Sequence, residues 1–134
     1  LDGIVYKIFP PLLEQYGSED DSNDYSLVVK VTAGERSVLF AGDAENRRLS
    51  ELLQNDELKA DILKVPHHGK KEDLSALFIT HISPSYAVIT SSDDEKEDAE
   101  IINILKEKNV KTFLTREGNV TIKIEKNEIL ITQE

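Results

Sequence analysis

Apolar residues alternate with polar ones over residues 3–9, where Ile4, Tyr6 and Ile8 keep the period of a half-buried strand until Pro10-Pro11 stops it. Residues 14–24 (EQYGSEDDSND) are acidic and aperiodic and read as a surface loop whose spacing misses the calcium-loop pattern. Two β-rich runs, 26–32 and 37–41, flank Ala33-Gly34-Glu35-Arg36, which predicts a hairpin with a four-residue loop. The second run is continuously apolar and belongs inside a sheet. Leu49, Leu52 and Leu53 then mark one stripe of a helix over about 44–54. Residues 60–65 form another buried strand, halted by Pro66, and a short helix over 73–79 follows with Asp73 as its candidate N-cap. A strand at 86–90 leads to a helix over about 95–108, capped from Ser91-Ser92-Asp93-Asp94 and striped by Ala99, Ile101, Ile102 and Leu105. A strand at 110–114 and a hairpin, 119–125 and 128–132 about Lys126-Asn127, close the chain. Strands alternating with helices predict a layered α/β fold, with function at the carboxyl ends of the strands.

Length and composition narrow this picture. The 134 residues suit one domain, 1–134, with a sizeable core. No apolar run approaches the roughly 20 residues that cross a bilayer. Cysteine is absent, which excludes disulfides and thiolate zinc sites and fits a cytoplasmic location, with a membrane-linked or extracytoplasmic parent left open. Methionine is absent too, so Leu1 is not a translational start, and the expectation is a processed or excised piece of something longer. The formal charge of −10 and the shortness of the basic clusters Arg47-Arg48 and Lys70-Lys71 argue against strong nucleic-acid binding by this chain alone.

Two motifs carry candidate chemistry, both at ends of buried strands. Gly42-Asp43 puts a carboxylate beside a residue that lets backbone and ligand approach; the plainer reading is that Asp43 caps the next helix. His67-His68-Gly69 offers imidazoles, common metal ligands and general bases. In an extended chain adjacent side chains diverge, so at most one of the two is expected to ligate directly. His81 is expected to play a surface or core role. Together the motifs amount to a partial metal site, barely reaching the three protein ligands of a catalytic zinc.

The ordered set Asn23-Asp24-Tyr25-Ser26-Leu27-Val28, Gly42-Asp43, Pro66-His67-His68-Gly69 and Thr115-Arg116-Glu117-Gly118-Asn119-Val120 resembles the metallo-β-lactamase superfamily. Within it, the chain is most similar to the hydrolase domain attached to competence DNA-uptake channels (ComEC-like) and its free-standing relatives. The resemblance implies the C-terminal half of an αββα sandwich: one mixed sheet with helices on one face and a C-terminal hairpin. It implies a binuclear hydrolase with two divalent ions, zinc favoured and manganese the alternative, activating water against a phosphodiester, ester or lactam. Asp43 would bridge the metals and His68, or else His67, would ligate the second; Asp43 and His68 are the catalytic candidates. Asn23, Ser26, Gly42, Gly69 and Lys70 would support them.

The departures are as informative. The family's His-x-His-x-Asp-His run is missing, as is the His between it and the bridging Asp, and Lys70 stands where relatives usually carry Ser. An Asn and a His-Pro are replaced by Ser91-Ser92-Asp93-Asp94-Glu95-Lys96. The isolated chain is therefore expected to hold metal weakly or not at all and to be inactive. Its partners would be the missing N-terminal half or, through an exposed apolar sheet face, a second copy. The alternative function is a degenerate, non-catalytic interaction module. A receiver domain fits worse, since no acidic pair ends the first strand and the His pair would go unexplained.

Overall fold

The structure is a computed structural model that describes residues 3–12, 16 and 22–134. The described residues form an α/β fold with a mixed six-stranded sheet, three α-helices and a C-terminal antiparallel hairpin. The sheet strands are β1 (Ile4–Phe9), β2 (Val28–Ala33), β3 (Arg36–Phe40), β4 (Ile62–Lys64), β5 (Tyr86–Ile89) and β6 (Lys111–Leu114), side by side in chain order. β1–β2–β3 are antiparallel; β3 through β6 are parallel. The crossovers carry α1 (Asn46–Leu52), α2 (Ser75–Ile82) and α3 (Ala99–Glu107). Parallel neighbours need such crossovers, which is why the helices begin where the parallel part begins.

Strand alternation sorts the side chains between two faces. Leu39, Leu63, Ala87 and Ile89 turn to one face and bury against Leu49, Leu52, Phe78, Ile79, Ile101 and Leu105 of the helices. Val38, Ile62 and Val88 turn to the other and are covered by Val120, Ile122, Ile124, Ile129 and Ile131 of the hairpin β7 (Val120–Glu125) and β8 (Glu128–Gln133). The hairpin turn is Lys126-Asn127, both at positive φ as a two-residue turn between twisted strands requires.

The sequence predicts an apolar, exposed sheet face away from the helices. The hairpin instead covers its central part and leaves Tyr6, Ile8 and Phe40 open to solvent. Ile4, Tyr6 and Ile8 thus give β1 the right period, but on that open face, and the half-buried strand expected there is buried mainly at Phe9. The β2–β3 connection is tighter than expected: Ala33 pairs with Arg36, leaving Gly34-Glu35 as the turn. All three helices start later than the pattern placed them. Leu74, not Asp73, is the N-cap of α2, and α3 begins after Asp98 rather than from the Ser91–Asp94 stretch. Of the acidic loop read over 14–24, residues 14, 15 and 17–21 lie outside the described residues. No helix among the described residues is long and apolar enough to cross a membrane.

Candidate metal centre

The carboxyl ends of the parallel strands bring Asp43 and His68 together: His68 Nε2 lies 3.3 Å from Asp43 Oδ1. Asp43 follows β3 through Ala41 and Gly42. Its backbone N–H donates to Ser26 Oγ at 3.0 Å, and Gly42 sits at φ +59 where a Cβ would come within 2.8 Å of Ser26 Cβ. Ser26 and Gly42 therefore act together through close approach: they set the backbone that presents Asp43. The plainer reading of Asp43 does not hold. The N-cap of α1 is Glu45, and the side chain that takes the helix's free N–H groups is Asp24, whose Oδ1 accepts from Arg48 N at 3.0 Å and Glu45 N at 3.2 Å.

The two histidines diverge, as expected, but not in an extended chain. His67 (φ 49), His68 (φ 53) and Gly69 (φ 76) form a left-handed turn directly after Val65-Pro66. Such backbone costs about 1–2 kcal/mol per non-glycine residue and persists only where contacts over-determine it. Here His67 N–H donates to the Gly42 carbonyl at 3.1 Å, which ties this turn to the Asp43 loop. Gly69 has no room for a side chain, because a Cβ would lie 2.8 Å from both Glu97 Cβ and Ile89 Cγ2. Lys70 turns away from Asp43, donating to the Lys96 carbonyl at 2.6 Å and lying 3.8 Å from Asp98 Oδ1, so its support goes to the loop before α3.

The tautomer of His68 follows from its partners. Nδ1 lies 2.7 Å from the Thr90 carbonyl oxygen, which can only accept, so Nδ1 carries the hydrogen and donates. In the neutral ring Nε2 then offers a lone pair, and what it faces is a carboxylate oxygen. Two acceptors 3.3 Å apart repel unless a proton or a cation lies between them. A backbone carbonyl that fixes one ring nitrogen leaves the other oriented toward whatever it faces, an arrangement also found in histidines that ligate metals. Asp43 and His68 are about half-exposed, at 41% and 48%, so an ion could reach both. Thr90, Ser91, Ser92, Glu95 and Thr115 line a groove that continues from His68.

His67 belongs to a different cluster. Its Nδ1 lies 3.4 Å from Glu45 Oε1 and 3.5 Å from Glu72 Oε1, and donor atoms of the three residues fall within 4.8 Å of one another, close enough to hold a metal ion. The Asn23 amide donates to Glu45 Oε1 at 2.7 Å and its Nδ2 stands 3.4 Å from His67 Nε2. An amide N–H facing Nε2 favours the tautomer with hydrogen on Nδ1, the nitrogen that lies beside the two carboxylates. Burial pushes the Glu72 carboxyl above its usual range; the His67 hydrogen bond opposes this and the Glu45 charge adds to it. Asn23 thus supports His67 and Glu45 rather than Asp43. His81 is remote from both clusters, with Nε2 2.6 Å from the Asn55 carbonyl.

Two further features were not singled out from the sequence. The Lys64 ammonium lies 3.7 Å from Asp43 Oδ1 and donates to the Gly42 carbonyl at 2.9 Å; burial lowers its pKa, and the charge and hydrogen bond of Asp43 raise it. Its position at the end of the strand preceding Pro66 was the available signal. Glu97 and Arg116 pair at 3.1 Å and brace the loops after β5 and β6. Burial alone would raise the Glu97 carboxyl, but hydrogen bonds from Arg116 and Ser91 and the Arg116 charge bring it down to about 2.

No protein-family profile matches the chain. Curated relatives do. The chain is 38% identical over 80 residues to the uncharacterized protein YcaI of Escherichia coli, covering 57% of the chain and 10% of that protein. It is 36% identical over 69 residues to recombination protein 2 of Haemophilus influenzae, covering 52% of the chain and 9% of that protein. It is 33% identical over 92 residues to competence protein ComA of Neisseria gonorrhoeae, covering 67% of the chain and 13% of that protein. The chain therefore spans about a tenth of the length of the curated relatives it matches, and its homologues include competence and recombination proteins.

Proposed function

We propose that this chain supplies one side of the metal centre of a metallo-β-lactamase-fold hydrolase, with Asp43 and His68 as ligands and a phosphodiester as the favoured substrate class. The observation that carries this is the pairing of Asp43 Oδ1 with His68 Nε2 at 3.3 Å, at the carboxyl ends of parallel strands. Bound divalent cations, zinc favoured and manganese the alternative, would supply Lewis acidity and lower the pKa of water near neutral pH. The chain's own residues do the positioning. Thr90 fixes the His68 ring, Ser26 fixes the Asp43 backbone, and the hydroxyl-lined groove beside His68 offers hydrogen bonds to substrate oxygens. The roles named for the relatives, competence and recombination, favour a nucleic-acid phosphodiester, to be bound by surfaces beyond this acidic chain.

The same reading assigns an occupant to the open sheet face. The remaining ligands would come from a further segment of the full-length protein packed over Tyr6, Ile8 and Phe40; a second copy of the chain is the competing occupant. The test is turnover of bis(p-nitrophenyl) phosphate by the full-length protein supplied with zinc or manganese. Turnover that Asp43→Ala and His68→Ala both abolish supports the proposal, and a folded protein without turnover refutes it. A second reading, a domain that keeps the shape and has lost the chemistry, is favoured by the donor count: Asp43 and His68 fall short of the three protein ligands of a catalytic zinc.

A further inference from the structure

We propose that Lys64 is a positioning residue of this centre, holding Asp43 in place while no cation is bound and loosening the grip on the cation that replaces it. The inference rests on the metal-centre reading above. Its basis is the fixed place of one ammonium group. Lys64 ends β4 on the sheet face opposite the helices, and its side chain is only 17% exposed. A surface lysine swings freely; this one is held by the Gly42 carbonyl at 2.9 Å, one residue before the carboxylate it faces at 3.7 Å. The contact thus joins the end of β4 to the Gly42-Asp43 loop of the centre. The same Asp43 Oδ1 lies 3.7 Å from the Lys64 ammonium and 3.3 Å from His68 Nε2, so moving it off His68 would also move it from its counter-charge.

The consequence for a bound ion is electrostatic. A divalent cation on Asp43 would sit a few ångströms from a fixed positive charge of the same sign. The repulsion falls only as the inverse of distance, so at a few ångströms it persists even beside solvent. Lys64 therefore opposes tight binding while pre-aligning the ligand that makes binding possible. A merely structural lysine would show no such opposition, since removing it would weaken binding or leave it unchanged.

The test follows the selectively labelled His68 and Lys64 side-chain nitrogens by NMR during zinc titration of the full-length protein, beside its K64M, K64Q and K64R variants. The expected result is zinc binding at His68 about tenfold tighter in K64M and K64Q and within about threefold of wild type in K64R. In the wild-type chain, the Lys64 Nζ signal moves and saturates together with His68. Equal or weaker binding in neutral variants that keep the native amide spectrum overturns the proposal, as does a Lys64 signal that ignores zinc, which needs no variant. A zinc response at His68 that is the same with and without the lysine charge overturns this inference alone. No zinc response at His68 in any of the chains overturns it together with the metal-centre reading.

Discussion

Asp24 is a buried carboxylate with a job that can be weighed. It is 1% exposed, and one oxygen accepts the N–H of Glu45 and that of Arg48, three residues past the N-cap of α1. That second N–H is the one an N-cap side chain usually takes. Glu45 makes no side-chain cap of its own because its carboxylate is turned to Asn23 and His67. Asp24 thus releases Glu45 for the histidine cluster. Asp24→Ala removes a cap worth about 1 kcal/mol and leaves two N–H groups short of an acceptor, at about 1–3 kcal/mol for a buried one. Escape from burying a carboxylate returns part of this, so the expected net loss is about 2–3 kcal/mol. Asp24→Asn keeps an acceptor oxygen and should lose about 1 kcal/mol. Urea unfolding followed by circular dichroism reads both losses as shifts in midpoint. The His67 ring signals should also move in Asp24→Ala as Glu45 is freed. An alanine variant within about 0.5 kcal/mol of wild type, or an asparagine variant as damaged as the alanine one, would refute the capping argument.

The other predictions concern the turn, the brace and the open face. Gly69→Ala must place a Cβ at positive φ against Glu97 and Ile89, and should cost about 2–4 kcal/mol in urea unfolding while shifting the His68 ring signals. Glu97 has its folded pKa lowered to about 2 from 4.5, so its contribution to stability is complete above about pH 4.5 and is lost as pH falls toward 2. After allowance for solvent screening that contribution is about 1–2 kcal/mol, and Glu97→Gln should flatten this part of the pH–stability curve; an unchanged acid limb would contradict it. Ile8→Thr should change the stability of this chain by less than about 0.5 kcal/mol, because the side chain is exposed, yet destabilise the full-length protein by about 1 kcal/mol or more; equal effects in the two would mean nothing covers that face.

Much of the fold was legible because each signal was local. Period-two or continuously apolar runs with Pro or Gly stops marked the strands, and leucine and isoleucine stripes marked α1 and α3. The late start of α1 was not legible, because its cap is distant: Asp24 serves it from another segment, and no residue beside Asp43 reveals it. Nor could an apolar stripe on β1 say which face would be covered, since that depends on the hairpin far along the chain. At the site, Gly42-Asp43 and His68-Gly69 stood out because glycine marks close approach. Their meeting, the tautomer set by Thr90 and the ammonium of Lys64 are matters of side-chain direction across strands, which spacing alone does not encode. The split of His67 from His68 was foreseen for an extended chain and is achieved by a left-handed turn instead.

The central claim is that Asp43 and His68 share a metal centre, and the most direct measurement is anomalous diffraction at the zinc edge from zinc-loaded crystals of the full-length protein. The account predicts two peaks about 3.5–4 Å apart, the separation of a two-metal site, with Asp43 between them and His68 bonded to one through Nε2. No peak beside Asp43, or density only between Glu45, His67 and Glu72, would contradict it.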